Sequence, residues 1–446
     1  RVPFPNRRPI SSASRIPVDY QFSVNRFRRN FAAGGATWER AKLRASTTFV
    51  TEGDDRGRPL GAALDASDRL TLAVAGDSAS LAVGSGVTPG VGDYDFVPPG
   101  AVAAHYQFVG VDSGAYAVQF TRVGPGQGAY VDSSVVSGRI VYAFVGQGNG
   151  AFRIGRALPL ADSHQLWAMT GGATRGPLTV DLEGAVSRHD LNTFSTLDDN
   201  DNVGGAGRAR MTLAGRVPGA LGGMGGLELL ARGVGRRFDA FGRLERPFEQ
   251  EDWGLPVSAD LERQERYELS GYLKPRLGGE LRAMVGHLST PDQFRSLRGS
   301  VQWAREGTVT TRAAFERADG HQAGLQFPDG GRDRAAAELG LRLKWLEPVA
   351  RGEWDERRTP SDTGRVGVQT AEVGADLRSP QSRSWHALIG ASVRDESRDG
   401  ITGFVPQNRA RILRAAVETP TAAAWGASLA WQRRRIDPRA DPRRSR

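Results

Sequence analysis

The stretch AELGLRLKW, residues 337–345, alternates strictly between apolar and polar or small side chains. The apolar positions run from Ala337 to Trp345, and the residues between them are Glu338, Gly340, Arg342 and Lys344. Successive side chains of a β-strand point to opposite faces of the sheet. The stretch therefore predicts a strand with one apolar face and one polar face.

The same alternation recurs from about residue 164 to residue 436. It is clear in LRGSVQWA at 297–304, and again in 309–316, 385–393 and 425–431. Repeated period-two segments separated by polar or glycine-bearing breaks are typical of an all-β chain.

The connections between these segments distinguish a barrel from a sandwich. From 189–204 onward, long breaks alternate with short ones, as in 217–224 (short), 239–263 (long) and 278–279 (short). Tight turns at one end and longer loops at the other are typical of an up-and-down barrel that crosses a membrane. We therefore expect residues 164–436 to form an antiparallel up-and-down transmembrane β-barrel with about 14 visible strands. The polar end of the chain after Trp431 suggests that this strand set is incomplete.

Four tryptophans support the barrel. They lie on the apolar face, each within a few residues of a short connection: Trp303, Trp345, Trp385 and Trp425. Indole rings gather at membrane–water interfaces. The four residues therefore predict an aromatic girdle at one rim.

The two faces of the strands predict two environments. The apolar residues should point into lipid: Leu339, Leu341, Leu343, Ile389, Ala391, Ala427 and Leu429. The charged residues should face the lumen: Asp181, Glu183, Arg282, Glu338, Arg342, Lys344 and Arg394. Charges of both signs suit a water-filled or plugged lumen, where they either form a selectivity lining or pair with one another.

By these patterns, residues 164–436 resemble Gram-negative outer-membrane β-barrel proteins in architecture, although no specific family is indicated. The resemblance implies a bacterial outer-membrane location, contact with outer-membrane lipid, and envelope or secretion proteins as partners. The implied function is that of a pore, a translocation channel or a surface anchor, without enzymatic activity. The alternation also fits a soluble secreted or cell-surface β-sandwich that binds polysaccharide or a protein through aromatic residues such as Tyr94 and Tyr116.

The first third of the chain is organised differently. We expect an irregular leader at 1–38, a β-rich domain at 39–158, and a polar tail at 437–446. The segments VTPGVGDY (87–94) and VGPGQGAY (123–130) are offset by 36 residues, and a second pair of segments beginning at Tyr106 and Tyr142 has the same offset. A shared offset predicts a tandem duplication covering 80–115 and 116–151. Its glycine-rich elements are typical of hairpin turns.

Composition excludes several classes of protein. Apolar residues make up 39% of the chain, and no run approaches the roughly 18 that a transmembrane helix needs. A spanning strand needs only every second residue apolar. Cysteine is absent, which rules out disulfides and thiolate metal sites. The 59 basic residues, of which all but three are arginine, are spread among 50 acids, so we expect no nucleic-acid partner.

Few residues suggest a cofactor or catalysis. Asp198, Asn200 and Asn202 have the spacing of an oxygen-ligand calcium loop, but Val203 and Ala209 replace the glycine and glutamate that such loops need. The sequence thus predicts a solvated turn with at most weak calcium binding, and no other cofactor. None of the six histidines pairs with another at metal-ligand spacing. We expect no catalytic pair at His189–Asp190, because adjacent strand residues point to opposite faces.

Overall fold

The computed structural model describes residues 26–219, 222–242, 244, 249–255, 263–291, 293–364, 366–380, 385–400, 403–418 and 428–438. These residues form many strands and few helices. No helix among them has the length and apolar character needed to cross a membrane.

The elements follow in chain order. The strands are β1 (Phe27–Arg40), β2 (Leu43–Pro59), β3 (Val83–Gly84), β4 (Val87–Gly92), β5 (Tyr94–Val97), β6 (His105–Phe108), β7 (Gly114–Val118), β8 (Phe120–Arg122), β9 (Tyr130–Val136), β10 (Arg139–Phe144), β11 (Phe152–Ile154), β12 (Arg156–Ala157), β13 (Ser163–Arg175), β14 (Leu178–Asp190), β15 (Val203–Arg216), β16 (Met224–Val234), β17 (Gln264–Lys274), β18 (Glu280–Thr290), β19 (Phe294–Arg305), β20 (Val309–Gln322), β21 (Asp329–Leu341), β22 (Glu347–Thr359), β23 (Val366–Arg378), β24 (His386–Gly400), β25 (Gly403–Glu418) and β26 (Ser428–Pro438). The helices are α1 (Ala66–Val74), a 3₁₀ turn (Asp199–Asp201) and α2 (Glu249–Asp252).

One large antiparallel sheet dominates the molecule. It has 16 strands in the order β1, β2 and then β13 to β26, and each strand pairs with the next. The expected sequential meander is therefore confirmed, and β13 to β26 are the 14 strands expected between 164 and 436. Within the described residues no ladder joins β1 to β26, so the sheet is not closed there.

The domain boundaries expected for the first third of the chain were wrong. β1 begins at Phe27, inside the expected leader, and β1 and β2 form the first hairpin of the large sheet. β2 pairs directly with β13, with Phe49 opposite Trp167, so residues 60–162 form an insertion between two neighbouring strands. The alternation missed β1 because small residues such as those of AAGGA (32–36) occupy both of its faces.

The large sheet has two distinct faces. Residues directly opposite each other in a ladder share a face. The face that carries Leu339, which we call the apolar face, continues through Thr311 and Trp303 on the neighbouring strands. The other side, which carries Glu338, is the charged face.

The apolar side chains are exposed, as the barrel interpretation predicts. The exposed fractions are 56% for Leu339, 39% for Leu341, 46% for Leu343, 67% for Ile389 and 75% for Leu429. Ala391 is also exposed, whereas Ala427 lies outside the described residues. Among the described residues no second sheet covers these side chains, which form an apolar band on the large sheet.

The apolar band ends before the strands do. On the apolar face of β20, the residues from Val309 to Phe315 are followed by Arg317 and Asp319. Arg317 pairs with Asp319 at 2.8 Å, and Arg409 pairs with Asp395 at the same distance on β24–β25. A spanning strand of about 9–11 residues crosses the hydrocarbon core, so longer strands extend into water. The alternation of short and long breaks predicted long loops at this end of the sheet. Because the strands extend further, the connections at 291–293 and 401–402 are short instead.

The inserted segment contains two small sheets with matching contacts. Their strand orders are β4-β7-β5-β6 and β10-β9-β11-β8. The Tyr94 hydroxyl accepts a hydrogen bond from the Tyr142 backbone N–H at 3.0 Å, and the Tyr130 hydroxyl accepts one from the Tyr106 N–H at 2.8 Å. Burial raises the pKa of both phenols, Tyr94 and Tyr130. Tyr94 and Tyr130 are 36 residues apart, as are Tyr106 and Tyr142, so the two contacts are reciprocal between the two segments. The duplication itself remains a prediction.

The reciprocal tyrosines make a specific prediction. Tyr94→Phe should leave the Tyr142 N–H without its partner, and Tyr130→Phe should do the same to the Tyr106 N–H, each at a cost of about 0.5–1.5 kcal/mol. Hydrogen exchange followed by mass spectrometry should show faster exchange in 139–144 for the first variant and in 105–108 for the second. The prediction fails if each variant affects only its own half.

The apolar face makes a second prediction. Leu269, in the middle of β17, faces Leu229 and Val285 on the apolar side, and its neighbour Ser270 lies on the charged side. An arginine facing lipid at mid-membrane costs about 2–4 kcal/mol. Leu269→Arg should therefore reduce the fraction that folds into lipid vesicles, measured by heat-dependent migration in SDS gels. The matched Ser270→Arg variant should fold like the wild type, and equal folding of both variants would contradict the membrane assignment.

Candidate functional site

The charged face carries a network of arginines and acids. Its centre is Asp376, whose side chain is fully buried. Three arginines contact this carboxylate: Arg414 donates from Nε at 3.1 Å, Arg378 lies at 3.3 Å, and Arg351 lies at 3.5 Å. A buried carboxylate is stable only when charged partners and hydrogen bonds compensate for its lost hydration.

The absence of a side chain at Gly390 allows this arrangement. Gly390 stands between Asp376 and Arg414 in the ladders. A Cβ at position 390 would lie 2.0 Å from the Asp376 carboxylate oxygen. Glycine therefore lets Arg414 reach across one strand to the buried acid.

Two of the predicted lumen residues belong to this network. Glu338 accepts hydrogen bonds from Arg378 at 3.1 Å and from Arg312 at 3.3 Å. Arg394 lies 3.5 Å from Glu396, which also contacts Arg434 at 3.4 Å. These contacts correspond to mutual ion pairing, one of the two roles considered for the charged residues.

Three more of the predicted lumen residues are paired elsewhere on the charged face. Asp181 pairs with Arg44. Glu183 lies 3.5 Å from Arg208, and Arg282 donates to Glu280 at 2.6 Å. All three belong to strands, and their ladder positions place them on the same face as Glu338.

Arg342 and Lys344 require a correction. β21 ends at Leu341, and the Leu343 N–H donates to the Leu346 carbonyl, so both basic residues belong to a turn rather than to a strand. Arg342 pairs with Glu347 at 2.8 Å in the adjoining strand. The Lys344 ammonium lies 5.4 Å from the centre of the Trp345 ring. Strand alternation therefore does not assign either side chain to the lumen.

An acidic segment covers part of the charged face. This segment, residues 249–255, comes from the connection between β16 and β17, which the sequence indicated only as a long break. Glu249 pairs with Arg266 of β17, Asp252 with Arg332 of β21 at 2.6 Å, and Glu251 with Arg357 of β22 at 2.7 Å. The segment thus connects β17 to β21 and β22, which lie several strands away in the sheet.

Trp253 anchors the acidic segment. Its side chain is fully buried, and the guanidinium groups of Arg266 and Arg298 lie 5.4 Å and 5.7 Å from the centre of the indole ring. The Ser296 hydroxyl donates to the Trp253 carbonyl at 2.6 Å. Gly254 has a φ of +68°, and a Cβ there would lie 2.9 Å from the backbone of β21, so this approach requires glycine.

Three predicted girdle tryptophans lie at one end of the sheet. Trp303 and Trp385 flank short connections, and Trp345 lies within one, at 342–346. The Trp303 indole N–H donates to the Thr311 hydroxyl at 2.9 Å. Trp425 lies outside the described residues, and the sequence interpretation missed Trp38, which is exposed beside the turn at 41–42.

The calcium-like residues lie in the connection between β14 and β15. Residues 199–201 form the 3₁₀ turn, and the Asn202 amide donates to the Asp199 carboxylate at 3.1 Å. The Asn200 carbonyl accepts from Arg237 at 3.0 Å. Calcium binding by Asp198, Asn200 and Asn202 remains a prediction, and their observed contacts are those of a turn.

Two histidines meet although the sequence spacing separated them. His164 and His189 are opposite each other in the β13–β14 ladder, and their rings stack at 4.6 Å. His189 Nδ1 lies 2.5 Å from the Asp239 carboxylate. Nearby, His189 and the hydrogen bond from Arg29 lower the pKa of the Asp162 carboxyl to about 2. The two-residue turn at 176–177 sets the register of the β13–β14 ladder. A sequence analysis that located this turn would have predicted that His164 lies opposite His189.

A comparison with solved structures finds partial similarity to three proteins. The chain resembles a BenF-like porin from Pseudomonas fluorescens Pf-5, with 11% identity over 62% of this chain and 87% of that one and a TM-score of 0.32. It also resembles OccAB3 from Acinetobacter baumannii, with 13% identity, 62% and 87% coverage and a TM-score of 0.33. It also resembles the outer membrane protein OpdK from Pseudomonas aeruginosa, with 13% identity over 63% of this chain and 90% of that one and a TM-score of 0.31. No protein-family model and no curated protein matches the chain.

The anchoring role of Trp253 can be tested. Trp253→Ala removes a fully buried indole, and such truncations cost about 3–5 kcal/mol. The acidic segment should therefore detach, and limited proteolysis should cleave within 235–263 at least tenfold faster than in the wild type. Trp345→Ala, which removes an exposed indole, is the matched control and should leave this cleavage rate unchanged. Unchanged cleavage in the Trp253 variant would show that the indole does not hold the segment.

Proposed function

We propose that this protein is a non-enzymatic channel of the bacterial outer membrane. The observation that carries the proposal is the sorting of side chains in the 16-stranded sheet, with exposed leucines on one face and paired charges on the other. In hydrocarbon every backbone polar group needs an internal partner, and closed β-barrels satisfy this requirement.

The apolar face supports a membrane location. Its band is bounded by tryptophans at one end and by exposed ion pairs such as Arg317–Asp319 at the other. Outer-membrane barrels have such a band, about 25 Å tall and flanked by aromatic residues. Outer-membrane lipid is thus the proposed partner of this face. The envelope or secretion partners expected from the sequence remain a prediction.

The charged face would line a polar path if the sheet closes into a barrel. Arginines and acids occur along it, from Asp181 on β14 to Arg394 on β24. Fixed charges of both signs favour hydrated, polar solutes over apolar ones. The acidic segment lies on this face and would narrow the path, so we propose small polar solutes as cargo rather than folded proteins.

The absence of enzymatic activity is part of the proposal. Ser187 lies two residues before His189, whose pairing with Asp190 was considered above as a catalytic pair. Ser187 is fully buried, and its hydroxyl accepts a hydrogen bond from the Asp239 N–H at 2.9 Å. A nucleophile must reach its substrate, and this hydroxyl is enclosed.

The alternative is a soluble secreted β-sandwich that binds polysaccharide or a protein. It predicts that the leucines of the apolar face are buried. A sandwich buries the apolar face of each sheet against the other. Leu339 and Leu341 are exposed instead, which favours the channel. Stability without detergent or lipid would favour the sandwich.

Conductance in planar lipid bilayers tests the channel directly. The purified, refolded full chain should produce discrete conductance steps. A Gly-Ser linker that replaces residues 249–255 should raise the step size, because the acidic segment no longer occupies the charged face. The same replacement of residues 323–326, an exposed connection, is the control and should leave the step size unchanged. A chain that inserts into the bilayer but conducts no ions would contradict the proposal.

A further inference from the structure

We propose that His164, His189 and Asp239 form a binding site for a divalent transition-metal ion of the zinc class. The three residues come from β13, from β14 and from the connection between β16 and β17. Their candidate ligand atoms all lie within 4.8 Å of one another. The inference does not depend on whether the protein conducts ions.

The ligand chemistry points to a transition metal. Two imidazole nitrogens and one carboxylate oxygen form a donor set that zinc binds in proteins, with bonds of about 2.0–2.2 Å and water in the fourth position. Imidazole ligands select zinc, copper or nickel, whereas calcium and magnesium prefer oxygen alone. The site therefore differs in class from the calcium-like spacing at Asp198.

The backbone presents the two histidines together. His164 and His189 form a directly opposed pair of the antiparallel ladder, so their side chains share the charged face. The His164 ring also stacks on Phe241 at 4.0 Å with an interplanar angle of 18°. Stacking on both sides limits the rotation of this imidazole.

The carboxylate is held in place by its own backbone. The Asp239 N–H donates to the buried Ser187 hydroxyl at 2.9 Å. Ser187 lies two residues before His189 on β14. The Asp239 carboxylate then lies 2.5 Å from His189 Nδ1. The two groups are therefore within hydrogen-bond distance, and a bound metal ion would replace this hydrogen bond. Small side-chain adjustments would admit the ion.

A further carboxylate lies behind the site. His189 Nε2 is 3.9 Å from the Asp162 carboxylate, on the side of the ring opposite to Asp239. Metal-binding histidines commonly donate their second N–H to a carboxylate, which fixes the ring orientation. Asp162 is itself held by hydrogen bonding to Arg29. The arrangement thus offers a positioning residue as well as three ligands.

The consequence is structural. Asp239 belongs to the same connection that carries the acidic segment, residues 249–255. A bound ion would fix the start of this connection to β13 and β14, while the acidic segment fixes its later part to other strands. The site would thus clamp one end of the connection against the sheet.

Zinc titration of the full chain tests the site. Protein refolded in detergent and treated with chelator is titrated with zinc chloride by calorimetry, and cobalt is substituted to read the ligand field by visible absorption. The wild type should bind one zinc ion per chain and give cobalt d–d bands. His164→Ala, His189→Gln and Asp239→Asn should each abolish the bands and weaken zinc binding at least 100-fold. Asp162→Asn should weaken it about 10–100-fold, as positioning residues do.

His321→Ala is the matched control. His321 makes the same kind of contact with Asp329, at 2.8 Å, but among the described residues no second histidine joins this pair. It should bind zinc like the wild type. Circular dichroism and heat-dependent SDS migration identify any variant that fails to fold, and a misfolded alanine variant is replaced by His164→Gln. Wild-type protein that binds no zinc at millimolar concentration, or zinc binding that survives both histidine substitutions, would overturn the proposal.

Discussion

Pairing of backbone N–H and C=O groups along the sheet is the constraint on which the rest of the structure depends. Each strand of the large sheet bonds to its sequence neighbour, except where the insertion at 60–162 separates β2 from β13. Once the backbone is paired in this way, side chains can only alternate between two faces. The apolar band and the charged network are therefore two results of one geometric rule.

The charged face, unlike the apolar face, has side chains that need charged partners. Buried or half-buried charges need partners, and Asp376 is satisfied only because three arginines converge on it. Some contacts of this network reach the second strand along rather than the next one, as from Arg414 to Asp376 across Gly390 and from Arg378 to Glu338. Long arginine side chains span that distance, which gives a physical reason for an arginine-rich composition beyond any bias of the genome.

Much of the fold could be predicted from the sequence because its signal is local. Alternation within ten residues predicts a strand and its faces, and β13 to β26 were predicted in this way. β1 was missed because its small residues carry no alternation, although the ladder to β2 holds it in the sheet. Strand ends were also missed on one side, since polar residues such as Arg317 and Asp319 look like loop residues while their backbone remains paired.

The candidate sites were harder to predict, because each depends on register or on contacts between distant segments. The acidic residues of 249–255 look like a solvated loop until the arginines of β17, β21 and β22 are placed around them. The histidine pair needs only one additional fact. With Gly176 and Pro177 as the turn, Arg175 faces Leu178, and each step back along the hairpin adds one pair until His164 meets His189. A one-residue slip would put the two imidazoles on opposite faces of the sheet. The metal site is thus decided by a turn more than ten residues away, so turn placement, more than motif spacing, limits what can be inferred about sites in a chain of this kind.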